Sequence, residues 1–101
     1  MNVISIKDFM NSTGSVVHKT IRTNVSGYPF VTFISKNDEG ENIGNNVYFT
    51  KNAAQTLGLQ HGDALPPAKS LQLVEVVVKA TGELAWRIGL IGEGSYTDDW
   101  A

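Results

Sequence analysis

The chain has 101 residues, a formal charge of −2 and no cysteine, and 42% of its residues are hydrophobic. This length suits one domain with a single core, and the lack of cysteine excludes disulfides, thiolate nucleophiles and sulfur-ligated metal sites. Apolar runs such as Val76–Val78 are far shorter than the roughly 20 residues that span a bilayer, and the N-terminus lacks a signal-peptide pattern, so we expect a cytoplasmic protein without a membrane segment.

The first third of the chain predicts a helix and two strands. Ser5–Asn11 has the pattern of a short helix, with Ser5 suited to the N-cap position. β-branched residues are frequent over Ser15–Val25, which predicts a strand. After a short turn, alternating apolar side chains predict a second strand over Tyr28–Ser35.

The middle of the chain is polar at first and then carries clear helix signals. Residues 36–46 are rich in glycine and asparagine and predict an exposed loop, and Asn46–Phe49 predicts a short strand. Thr50 suits the N-cap of a helix over Lys51–Leu57, and Gly58 suits its left-handed C-terminal cap.

Residues 71–90 predict a C-terminal β-hairpin. A three-residue loop ending at Gly82 would place Val76 opposite Trp86. In that register one face of the hairpin is apolar and the other carries two pairs of opposite charge, Lys79 with Glu83 and Glu75 with Arg87.

Charge separates the end of the chain from the rest. All eight Lys and Arg residues lie within residues 1–92, whereas three of the ten acidic residues, Glu93, Asp98 and Asp99, lie beyond them. We therefore predict a single β-rich domain over residues 1–92 and an acidic, flexible tail over 93–101. The tail is a candidate for recruiting a protein partner.

Together these segments predict an α+β, β-rich fold. We expect a small barrel or a bent, mostly antiparallel sheet, with one short helix at about 51–57 and a C-terminal hairpin at about 71–90. Strands rich in Val, Ile and Thr present edges that favour pairing with a second subunit, so we also expect a homo-oligomer.

One local motif resembles a known family. Residues 49–65 combine a strand, a capped helix, Leu57-Gly58-Leu59 and Gly62-Asp63. This order resembles the signature of AbrB-type swapped-hairpin regulators, and the resemblance implies an intertwined dimer that binds DNA. The chain departs from the signature at Pro66-Pro67, which interrupts the strand that should follow.

Basic and aromatic residues are interleaved on the predicted strands, which is similar to small phage and bacterial single-strand DNA-binding proteins. In such proteins bases stack on aromatic rings while cations follow the phosphates. We therefore predict that Lys19, Arg22 and Lys51 contact the phosphates of single-stranded or duplex nucleic acid, and that Tyr28 and Tyr48 stack on its bases.

Enzyme motifs are weaker. Ser15 and His18 lie three residues apart on a predicted strand and so face opposite sides, which does not suit a nucleophile and its base. We predict a non-enzymatic nucleic-acid-binding accessory protein that uses no cofactor and no metal. The alternative is a small oligomeric protein-interaction or assembly module with no nucleic-acid role.

Overall fold

A computed structural model describes residues 3–93 and the backbone of residues 97–98. The elements in chain order are β1 (Val3–Ser5), α1 (Ile6–Thr13), β2 (Val16–Val17), β3 (Arg22–Thr23), β4 (Pro29–Lys36), β5 (Asn42–Tyr48), α2 (Lys51–Leu57), a 3-10 turn (Ala68–Ser70), β6 (Leu71–Val78), β7 (Leu84–Leu90) and β8 (Thr97–Asp98). The predicted α+β, β-rich fold class is confirmed.

Local capping signals determine where both helices begin. The Ser5 hydroxyl accepts a backbone N–H of the first turn of α1 at 3.1 Å, and the Thr50 hydroxyl does the same for α2 at 3.0 Å. Helix α2 covers the predicted residues and ends at Gly58, whose φ of 61° is left-handed. Helix α1 begins after Ser5 as predicted and continues to Thr13, past the predicted end at Asn11.

The first sheet has β6 at its centre. Strand β7 pairs antiparallel with one edge of β6, while β1 (antiparallel) and β8 (parallel) share the other edge. Side chains on both faces of β6 are buried, because Leu73 on one face and Val74 and Val76 on the other have no exposed surface. Strand β6 is therefore a central strand, with no solvated face.

The C-terminal hairpin forms over the predicted residues, but its predicted register is wrong by one residue. Val76 lies opposite Ala85, and Trp86 lies opposite Glu75. The prediction placed apolar side chains on one face of the hairpin and pairs of opposite charge on the other. Because β6 is buried on both faces, the chemistry of its side chains could not fix the register.

The hairpin turn accounts for the shift. The Val78 carbonyl accepts from the N–H groups of both Thr81 and Gly82, at 3.2 and 2.7 Å, and the Val78 N–H donates to the Glu83 carbonyl at 2.8 Å. Gly82, with φ of 71°, is therefore a bulge residue opposite Val78. Its left-handed conformation agrees with the prediction, whereas the loop length does not.

The second sheet has β4 at its centre, with β5 on one edge and β2 and β3 on the other. The strand predicted over Ser15–Val25 is thus divided into two short strands. Between them the chain pairs with residues 62–65 instead, since Ile21 N–H donates to the Asp63 carbonyl and Leu65 N–H donates to the Lys19 carbonyl, both at 2.8 Å.

The loop predicted over residues 36–46 is wrong for residues 42–46, which form most of β5. The turn is shorter because the Asn37 side-chain oxygen accepts the N–H groups of Glu39 and Glu41, at 3.0 and 2.9 Å. The ladder to β4 then extends along β5 to Asn42. Backbone pairing needs no apolar side chains, which is why composition misled the prediction.

The two sheets meet where β5 ends. Phe49 bridges Ile88 of β7 in parallel orientation, and Thr50 N–H donates to the Ile88 carbonyl at 2.8 Å. The described residues form two sheets and neither closes into a barrel, so the barrel form of the prediction is wrong. The core between sheets and helices contains Ile6, Val17, Ile21, Val31, Phe33, Val47, Phe49, Ala53, Ala54, Leu71, Leu73 and Ile88.

The predicted tail is described only in part. Glu93 is hydrogen-bonded to Thr50 and Leu90, and the backbone of Thr97–Asp98 pairs with the end of β6. Residues 94–96 and 99–101 lie outside the described residues.

Candidate nucleic-acid interface

The second sheet has one face on the core and one face towards solvent. Val31, Phe33 and Val47 point into the core, so the alternate positions of the paired strands form the opposite face, which we call the outer face. By this alternation its members are Val16, Arg22, Phe30, Thr32, Ile34, Lys36, Asn42, Gly44, Asn46 and Tyr48. These paired positions include Arg and Lys but no Asp or Glu.

Four side chains line up across the strands at one end of the outer face. Phe30 lies opposite Arg22 on one side and opposite Tyr48 on the other. The Arg22 guanidinium carbon is 6.0 Å from the Phe30 ring centre, the Phe30 and Tyr48 ring centres are 5.3 Å apart, and the Arg87 guanidinium carbon is 5.7 Å from the Tyr48 ring centre. We call this alternation of cation, ring, ring and cation the aromatic row.

Exposure differs along the aromatic row. Only 8% of the surface of Phe30 and of Arg87 is exposed to solvent, whereas Tyr48 is half-buried and Arg22 is exposed. Each cation–ring contact contributes about 0.5–1 kcal/mol when exposed and about 2 kcal/mol when desolvated, so the Arg87 contact is the stronger of the two. Phe30 and Arg87 therefore support the row, and Arg22 and Tyr48 present it to solvent.

Arg87 is held by its own strand as well as by Tyr48. Its guanidinium donates to the Trp86 carbonyl at 3.2 Å. Arg87 belongs to the first sheet and Tyr48 to the second. Because Phe49 and Ile88 form a parallel bridge, the residues that precede them, Tyr48 and Arg87, lie side by side. The outer face thus continues from one sheet to the other at this point.

Asn24 connects the aromatic row to Tyr28. Its side-chain oxygen accepts the N–H groups of Ser26 and Tyr28, at 3.0 and 2.9 Å, and its amide nitrogen lies 3.5 Å from the Tyr48 hydroxyl. One asparagine thereby binds the backbone of the turn before β4 and also contacts the Tyr48 hydroxyl.

The rest of the outer face combines polar residues with Val16 and Ile34 and leads to a groove. Thr32 donates to the Asn46 side-chain oxygen at 2.8 Å. Beyond this pair lies an open groove of about 490 Å³, lined by Gly14, Val16, Val17, His18, Ile34, Ser35, Lys36 and Asn42. The hairpin tip next to Lys36 carries three exposed acids, Asp38, Glu39 and Glu41. Acidic side chains therefore accompany the positive charge of Lys36 at this end of the outer face.

The structure brings together only part of the predicted site. Arg22 and Tyr48 both belong to the aromatic row, and Tyr28 adjoins it through Asn24. Lys19 lies on the chain segment paired with residues 62–65, and Lys51 is the first residue of α2. Neither lysine therefore lies on a strand of the row.

Three residues of the interface were missing from the predicted set. Phe30 alternates with core residues on a strand, so its place on the outer face could have been deduced once Val31 and Phe33 were assigned to the core. Arg87 was expected to pair with Glu75 across the hairpin, and nothing in its local sequence indicates a contact with Tyr48. The role of Asn24 was signalled only by its position before a turn.

Among the described residues, no group of three or more His, Cys, Asp or Glu side chains is arranged to hold a metal ion. The helices of the described part of the chain are too short or too polar to cross a membrane. Comparison with models of known protein families, with curated proteins and with solved structures gave no match.

Proposed function

We propose that this protein binds single-stranded nucleic acid on the outer face of the second sheet, as a non-enzymatic accessory protein. The observation that carries the proposal is the aromatic row, in which Arg22 and Tyr48 are presented to solvent by the buried Phe30 and Arg87. Cations beside aromatic rings match a polymer of alternating phosphates and bases.

Each exposed member of the row has a distinct role. The Tyr48 ring stacks on a base, and the Arg22 guanidinium contacts a phosphate or stacks beside the same base. Arg87 is a positioning residue, because it lies against the Tyr48 ring and is itself almost fully buried. Tyr28 extends the stacking surface at the end held by Asn24.

Single strands suit this face better than duplexes. The bases of a duplex are stacked inside the helix, so an aromatic ring on a sheet can reach them only in an unpaired strand. The acidic hairpin tip repels phosphates at the far end of the outer face, which confines the strand to the row and the polar residues next to it. The formal charge of −2 gives little long-range attraction, so binding depends on these local contacts.

Titration of a fluorescently labelled single-stranded oligonucleotide tests the proposal, with anisotropy measured at about 50 mM and about 200 mM salt. We expect binding at low salt that weakens at higher salt. Tyr48→Ala should weaken binding about 5- to 150-fold, because loss of one stacked base costs about 1–3 kcal/mol. Arg22→Ala should also weaken binding. Because it removes about one phosphate contact, the slope of the logarithm of the binding constant against the logarithm of salt concentration should become shallower by about 0.7.

Two matched variants separate these effects from general damage. Tyr48→Phe keeps the ring and should bind within about twofold of the wild type, because stacking uses the ring face. Lys69→Ala removes a positive charge from the 3-10 turn beside α1 and β6 and should leave binding unchanged. Absence of binding at low salt, or equal losses for Arg22→Ala and Lys69→Ala, would refute the proposal.

A further inference from the structure

Strand β5 has one edge without a partner among the described residues. Phe49 N–H donates to the Pro29 carbonyl at 3.1 Å, so the odd-numbered residues of this strand direct their backbone groups to β4. The backbone groups of the even-numbered residues Asn42, Gly44 and Asn46 therefore point away from the sheet. All three residues are exposed.

This edge lacks the usual protection against pairing. Residues 42–49 contain no charged residue and no proline, and charge and proline are the common means of blocking an edge. Other edges of the described sheets are shorter or partly occupied: β1 has three residues, β2 has two, the segment before β3 pairs with residues 62–65, and the outer edge of β7 meets Phe49 and Thr50 at Ile88.

The edge is also complementary to itself. In an antiparallel pair of two copies centred on Gly44, Gly44 faces Gly44 of the second copy and Asn42 faces its Asn46. Each of the three residues then donates its N–H and accepts at its carbonyl across the edge. Ile43, which is 43% exposed, would lie opposite Asn45 of the second copy and lose part of that exposure.

We propose that two copies of this chain pair through β5 in this register, forming a two-fold symmetric dimer with one continuous sheet. A closed pair of this kind is isologous, because both copies use the same surface. Antiparallel pairing places the two outer faces on the same side of the joined sheet. The inference stands on the β5 edge alone and does not require that nucleic acid binds.

A pair of charge variants tests both the dimer and its register. Light scattering on a concentration series should give a molar mass that rises from 11.0 kDa towards twice that value. Asn42→Lys with Asn46→Lys places like charges opposite each other and should keep the chain monomeric. Asn42→Glu with Asn46→Lys places opposite charges across the same positions and should restore or strengthen the dimer.

Both double variants contain Asn46→Lys, and both therefore lose the hydrogen bond between Thr32 and Asn46. A difference between them then comes from residue 42 alone. Amide hydrogen exchange tests the same edge at single residues. The Gly44 and Asn46 amides should exchange more slowly as the concentration of the wild-type chain rises. A molar mass of 11.0 kDa at every concentration would overturn the proposal. A dimer that is equally stable in both charge variants would overturn the register.

Discussion

Glu93 ties three parts of the chain together at one point. Its carboxylate accepts from the Thr50 hydroxyl at 3.1 Å and from the Leu90 N–H at 2.5 Å, and its carbonyl accepts from the Gln72 side chain at 2.9 Å. Thr50 is fully buried and also caps α2. The end of β7, the start of α2 and β6 are thus joined by one residue.

Gly89 leaves the space that Glu93 occupies. A Cβ added at Gly89 would lie 2.5 Å from the nearer Glu93 carboxylate oxygen, which no real contact of this kind allows. We expect Gly89→Ala to displace the Glu93 carboxylate and to lower the free energy of unfolding by about 1–3 kcal/mol, the usual result of leaving a buried hydroxyl without its partner. Urea denaturation measures the change.

A double-mutant cycle isolates this contact. In the Glu93→Ala background the space beside residue 89 is open, so Gly89→Ala should there cost much less than it does in the wild type. If the two substitutions are additive, the carboxylate does not constrain residue 89.

Single residues were predictable where their partners are close in sequence. The N-caps Ser5 and Thr50 and the left-handed Gly58 and Gly82 were all assigned correctly, because each depends on residues within one turn. Glu93 was assigned to a flexible tail, since its partner Thr50 is 43 residues away and leaves no local signal.

At the scale of elements, strand existence was easier to predict than strand pairing. The sequence predicted the hairpin of β6 and β7 and the left-handed Gly82 in its turn. The predicted register nevertheless differs from the observed one by one residue, because β6 is buried on both faces. Strand β5 was partly assigned to a loop because its pairing with β4 relies on backbone groups and not on apolar side chains.

Engineered disulfides distinguish the two hairpin registers, since the chain has no cysteine of its own. Val77 lies opposite Leu84 in a non-hydrogen-bonded pair, where Cα atoms are about 4.5 Å apart and a disulfide fits. We expect Val77→Cys with Leu84→Cys to oxidise readily, as measured by mass spectrometry.

Val77→Cys with Ala85→Cys is the matched comparison. In the observed register these two positions point to opposite faces of the sheet, so this pair should stay reduced. In the register expected from the sequence they would face each other. Preferential oxidation of the Ala85 pair would show that the hairpin is paired as the sequence suggested.

At the scale of the whole molecule, the bridge between Phe49 and Ile88 determines what the outer face contains. It brings Arg87 of the first sheet against Tyr48 of the second, and so completes the aromatic row. The sequence predicted the β-rich class and two members of this row, Arg22 and Tyr48. It also placed Lys51 on its helix. How that helix and the Lys19 segment lie relative to the row depends on how the two sheets meet, which local sequence does not indicate.

We propose that single-stranded nucleic acid binds at the aromatic row, and NMR can locate the binding site residue by residue. Backbone amide chemical shifts are mapped while a short single-stranded oligonucleotide is added at low salt. We predict that the largest shifts occur at Arg22, Phe30, Asn46 and Tyr48, with α1 and the 3-10 turn unchanged. No shifts at any oligonucleotide concentration, or shifts centred on α1, would contradict the account.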